Sequence, residues 1–175
     1  VPRQDIYAVL GNVTWLEWSP LYVVMLGQSR LVEDRAFVAG QFRSRAGDAS
    51  RTYLAAWTIA FVEMERSDAI QFIADTYFRQ KSYDRDALVE MQKALSVLGS
   101  EYPRQLRPAV VSAYQRLLNA HPSMAGYVAR DCAAWRDWSL VPLLRTVKAR
   151  DTRDDPGAAY AVSYYLSMAR EASRP

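Results

Sequence analysis

The 175-residue chain has one cysteine, Cys132, and one histidine, His121. A lone cysteine excludes an intrachain disulfide and a cysteine-based zinc site. A lone histidine excludes a His-x-x-x-His metal pair. Glycine (7 residues) and asparagine (Asn12 and Asn119) are too scarce for the many tight turns of a β-sandwich or barrel. Neither the Gly-x-x-x-x-Gly-Lys phosphate loop nor the Gly-x-Gly-x-x-Gly dinucleotide fingerprint occurs. Long apolar runs are missing too. The longest uncharged stretch, Pro156 to Ala169, has 14 residues, short of the roughly 18 that a membrane span needs. Ile6 to Ser29 is interrupted only by Glu17, but Gly11, Pro20 and Gly27 divide it into short buried helices rather than one span.

Half of the residues are hydrophobic and 23% are charged, which excludes wholesale disorder. The length suits a single domain with its own core and no need of a covalent staple. The chain opens at Val1 without methionine, which reads as a processed or trimmed product.

Helical periodicity dominates from Asp48 onward. Tyr53, Ala56, Trp57, Ala60 and Phe61 form one stripe. Ser67 reads as the N-cap of a helix carrying Ile70, Ile73, Ala74, Tyr77 and Phe78. Ser82 or Asp84 opens a third helix, with Leu88, Met91, Leu95 and Leu98 inward and Gly99 as its stop. The next helix starts late at Pro108 or kinks there, and it ends before His121-Pro122. Ser123 begins another through Cys132, and Ser139 is the expected N-cap of a helix holding Pro142. Asp155 and Pro156 open the last, with Ala159, Val162, Leu166 and Ala169 inward. Strands are not expected, and helical content should exceed roughly 60%, well above the average of about 30–35%. In residues 1–45 three irregular helices are expected, over Asp5–Leu16, Pro20–Gln28 and Glu33–Arg45.

An internal repeat is visible. The helices that open successive hairpins begin near Asp48, Asp84 and Ser123, 36 and 39 residues apart. Ala55-Ala56-Trp57 recurs as Ala133-Ala134-Trp135, and Trp15-Leu16-Glu17-Trp18-Ser19 is echoed by Trp135-Arg136-Asp137-Trp138-Ser139. Val128-Ala129-Arg130-Asp131-Cys132-Ala133-Ala134 and the following Val141-Pro142-Leu143-Leu144 resemble the first and second helices of a HEAT-like or armadillo-type α-solenoid. The resemblance spans about residues 48–172, where it implies helical-hairpin repeats that stack into a concave surface. A compact non-repetitive helical bundle is the alternative.

Chemistry-bearing residues are sparse. His121 at a helix end reads as a solvated or C-capping side chain, and Cys132 as buried filler. The near-paired carboxylates Glu63/Glu65, Asp84/Asp86 and Asp151/Asp154/Asp155 fall at helix ends, where capping and solvation account for them. No catalytic set, cofactor or metal is implied.

Aromatic and basic residues stand out instead. Trp15 and Trp18, like Trp135 and Trp138, are spaced i, i+3, so each pair could share one side of a helix end. Such rings either fill the wedge between hairpins or stay exposed beside an arginine. Of Tyr164 and Tyr165, one ring must be partly exposed. Residues 103–150 carry eight cations against Asp131 and Asp137. Arg104, Arg130 and Arg145 would form one basic stripe if their phases agree.

The resulting expectation is a cytoplasmic, non-enzymatic scaffold or protein-interaction module. Its candidate binding residues are Arg104, Arg130, Asp131, Trp135, Arg136, Trp138 and Arg145. The expected partner is another protein or a peptide segment. The alternative is nucleic acid, or another acidic partner, on residues 103–150. Some HEAT-like proteins are DNA glycosylases that use Trp, Asp and Arg, so the resemblance implies that activity as a remote possibility. A third reading has the apolar first 45 residues docking on another chain.

Overall fold

A computed structural model describes residues 4–5, 8, 19–29, 31–47, 53–147, 149–153, 155 and 157–174. Of these, 80% are helical and none lies in a strand, so the protein is all-α. Of the expected helix over Asp5–Leu16 only Asp5 and Ala8 are described, both helical, and the Trp15–Trp18 pair lies outside the described residues. Among the described residues no helix is long and apolar enough to cross a membrane.

The chain packs as two compact units, Val1–Ile70 with Asp84–Leu98, and Gln71–Tyr83 with Gly99–Pro175. The first unit is built around α3 (Leu54–Glu65), which follows α1 (Ser19–Gly27) and α2 (Val32–Gly47). The stripe predicted on α3 understates its burial. Leu54, Trp57, Thr58, Phe61 and Val62 are buried on several sides, as suits a central helix. α1 crosses it closely, because a Cβ on Gly27 would lie 2.7 Å from the Ala60 backbone. On α2, Val38, Phe42 and Ala46 recur every four residues and are buried, and Phe42 stacks on Phe61 at 4.7 Å. Burying each such aromatic or aliphatic side chain stabilises by about 1.5–3 kcal/mol. Arg35 ties α2 to the end of α3 through the Met64 carbonyl (2.9 Å) and Glu65 (3.1 Å).

Asp84, not Ser82, caps α5 (Arg85–Glu101), where its Oδ1 accepts the Ala87 N–H at 2.9 Å. Leu88, Met91, Leu95 and Leu98 are buried along it. Gly99 is not the stop that its residue type suggests, since the helix runs on to Glu101. α4 (Ser67–Ile73) continues into a π-helical turn, Ala74–Phe78, which periodicity does not reveal.

The second unit contains this π turn, α6 (Arg107–Ala120), α7 (Ala125–Trp135), the single turn α8 (Val141–Leu144) and α9 (Ala158–Ala172). Pro108 sits in the first turn of α6, where its missing N–H leaves no bond unmade, so this helix starts late rather than kinking. Gly126 lets α7 approach α9, because a Cβ there would fall 2.6 Å from that of Ala158. The buried face of α9 is Ala158, Ala161, Val162, Tyr165 and Ala169, which includes Val162 and Ala169 as expected but turns away from the other two expected residues. Ala159 is exposed and Leu166 only half-buried. Tyr165 is the inward ring of the tyrosine pair, and Tyr164 is 47% exposed.

Candidate functional site

The site is shaped by the way α7 ends. Arg136 takes a left-handed conformation (φ 54°) without being glycine, and its N–H donates to the Ala133 carbonyl at 3.1 Å. The Asp137 N–H donates to the Cys132 carbonyl at 2.9 Å, completing a Schellman-type stop. Asp137 then holds the next turn, its Oδ1 accepting the Ser139 N–H (3.0 Å) and hydroxyl (2.5 Å). Ser139 therefore does not cap α8. That position belongs to Leu140, which has no capping side-chain bond.

Reversal of the chain at Arg136 separates the two tryptophans predicted to share one side. Trp135 turns inward. Its ring stacks parallel to Tyr114 (6.0 Å), its Nε1 donates to the Ser100 hydroxyl (2.9 Å), and the Arg107 guanidinium lies 5.2 Å above it. Asp131 is drawn into the same packing by the Tyr114 hydroxyl, which donates to it at 2.5 Å. The other Ala-Ala-Trp lies at the opposite end of its helix, in the first turn of α3, where Trp57 is buried under the Arg45 guanidinium at 5.0 Å.

Trp138 lies elsewhere. It packs against Tyr165 (5.3 Å between centroids), whose hydroxyl donates to the Asp137 carbonyl at 2.9 Å. A groove of about 620 Å³ opens beside it, with Trp138, Val141, Pro142 and Ala169 as its apolar lining. Arg145, Arg170 and Arg174 rim this groove, and among the described residues no carboxylate lines it. Among the described residues these three guanidinium groups form no ion pair.

The predicted basic stripe is divided. Arg145 rims the groove. Arg130 lines a separate cavity of about 370 Å³ with Ala133, Ala134, Tyr160 and Tyr164, its guanidinium 3.4 Å from Asp155 and 5.5 Å above Tyr127. Arg104 is exposed in the turn before α6 and lines neither, and Arg136 is an exposed helix stop. Arg170 and Arg174 were not singled out by sequence. Arg170 lies in the last turn of α9 and Arg174 in the turn just past its end, and nothing local announces Trp138 as their neighbour.

Titratable groups nearby are held in neutral forms. Burial pushes the Cys132 thiol up, with Asp137 and Asp131 adding to the effect, and burial likewise raises the Tyr165 phenol. His121 ends α6 and is buried rather than solvated, which lowers its pKa. Among the described residues no three His, Cys, Asp or Glu side chains gather as a metal site. What the groove offers is an aromatic wall, an aliphatic floor and three cations that are unpaired among the described residues. No protein-family model, curated protein or solved structure matches the chain.

Proposed function

We propose that the protein is a non-enzymatic interaction module, and that its Trp138 groove receives an acidic peptide segment of a partner protein. The observation that carries this reading is the set of Arg145, Arg170 and Arg174 around an apolar lining, without a carboxylate among the described residues. Trp and Arg are the residues that most often dominate protein interfaces. An apolar side chain of the partner would fill the space over Val141, Pro142 and Ala169, and flanking carboxylates would meet the guanidinium groups. Single-stranded nucleic acid is the weaker fit. It calls for successive stacking rings, whereas this groove offers one tryptophan, already covered on one side by Tyr165. Stacking of the helical hairpins as a HEAT-like solenoid is part of the proposal. Supporting it is the recurrence of Ala-Ala-Trp in sequence, with an arginine over each ring, although the segment begins α3 and ends α7.

The test is fluorescence anisotropy at low salt, using an acidic peptide with a central leucine or phenylalanine and a single-stranded oligonucleotide of equal charge. Tight binding of the peptide, abolished in R145Q/R170Q/R174Q, supports the reading. Preferential binding of the oligonucleotide, or peptide binding indifferent to the three arginines, refutes it.

A further inference from the structure

Away from the Trp138 groove, and independent of it, the second unit holds another cationic cavity. It has about 360 Å³ and is lined by Arg79, Lys81, Arg116, Asn119 and Ala120. We infer that this cavity is a binding site for the phosphoryl group of a small ligand.

Its geometry starts at the π turn Ala74–Phe78, which carries Asp75. One carboxylate oxygen, Oδ1, accepts from Arg116 Nη1 at 2.6 Å and lies 3.5 Å from Arg79 Nη1. The other, Oδ2, accepts from Gln71 Nε2 at 2.5 Å. Asp75 is thereby used up as an anchor. It fixes two guanidinium groups while engaging only one nitrogen of each, and every guanidinium carries five N–H donors. Lys81 and Asn119 have no side-chain partner among the described residues. Three cations against one carboxylate leave a net charge of +2 at the cavity, opposite to the −1.5 to −2 or so of a phosphate monoester at neutral pH.

The two sides of the cavity are tied through one carboxylate. Asp75 itself is the tie, since it joins Arg79, just past the π turn, to Arg116 on α6, the helix that also bears Asn119. Two of the three cations are thus already oriented by Asp75, which lowers the ordering cost of binding to that of Lys81 and Asn119. Its volume falls within the usual range for small-molecule sites, about 300–1,000 Å³. π turns inside α-helices are frequent at functional sites, and this one carries the residue that aligns both arginines.

Inorganic phosphate is titrated into the full chain at low ionic strength and followed by amide and Asn119 side-chain NMR shifts. The expected result is saturable change confined to residues 79–82 and 116–121. K81Q and R116Q should each weaken binding about tenfold or more. R104Q, a surface arginine outside the cavity, should leave it unchanged. K81Q alters only an exposed, unpartnered side chain, so its effect is read on a folded protein. Absence of saturation, or equal weakening by R104Q, overturns the inference, because phosphate would then act as a diffuse counter-ion. So does displacement of phosphate by an oligonucleotide whose shifts spread along residues 103–150, which would make the cavity part of a nucleic-acid track.

Discussion

The outer edge of the Trp135 indole occupies the space that a Cβ on residue 99 would need, 2.8 Å from that position. Gly99 is therefore a packing glycine inside α5, and the indole cannot easily retreat. Ser100, Tyr114 and Arg107 hold it from three directions.

Gly99→Ala is accordingly expected to destabilise by about 1 kcal/mol. Overpacking costs about 1–3 kcal/mol, offset in part by the roughly 1 kcal/mol gained when alanine replaces a helical glycine. Urea denaturation measures the difference, and a rise in the midpoint would contradict this account.

Gly126→Ala should cost more, about 2–3 kcal/mol. There the obstructing atoms are the Cα and Cβ of Ala158, at 2.7 and 2.6 Å, rather than the end of a side chain. The order of the two variants is the sharper prediction, and the same urea series reads it.

Burial lowers the His121 pKa from 6.5, so the unfolded chain binds more protons than the folded one just below that value. The contribution is complete above about pH 6.5 and is lost as pH falls through the folded-state pKa. His121→Asn should flatten the decline in stability below about pH 6.5. Denaturation midpoints across that window show it directly.

Cys132 is fully buried and its thiol is pushed up, so it should resist thiol reagents at pH 8 in the folded protein. Labelling is expected to follow global opening and to become immediate in denaturant. Rapid stoichiometric labelling under native conditions would show that α7 opens locally.

Trp138→Ala should weaken the proposed peptide binding by about 2 kcal/mol, as truncation of a central aromatic anchor does. Each single arginine change at the groove is expected to cost less, because the three share the same field. Titration calorimetry of the four variants compares them.

Much of the helical architecture was legible because apolar spacing is a local signal. Leu88, Met91, Leu95 and Leu98 lie where their spacing places them, and Pro108 marks a start by its own missing N–H. Long-range causes were hidden. Gly99 looks like a helix stop until Trp135 is seen against it, and Ala159 is indistinguishable by composition from its buried neighbour Ala158. The candidate site divided on one backbone angle. A left-handed arginine at 136 sends Trp135 and Trp138 to different surroundings, and arginine gives no warning of that conformation as glycine would. Arg170 and Arg174 reach the groove only through tertiary packing of α9.

The bond from Tyr165 to the Asp137 carbonyl, with the Asp137–Ser139 turn beyond it, clamps the backbone on both sides of Trp138. A wall fixed in this way needs no rearrangement before a partner arrives. Encounter would then be governed by diffusion and by the field of the three arginines, so dilution of salt should speed association far more than it slows release. The rigidity of one turn thus becomes a kinetic property: a partner would be captured quickly, and its residence time would be set by how well it fills the groove.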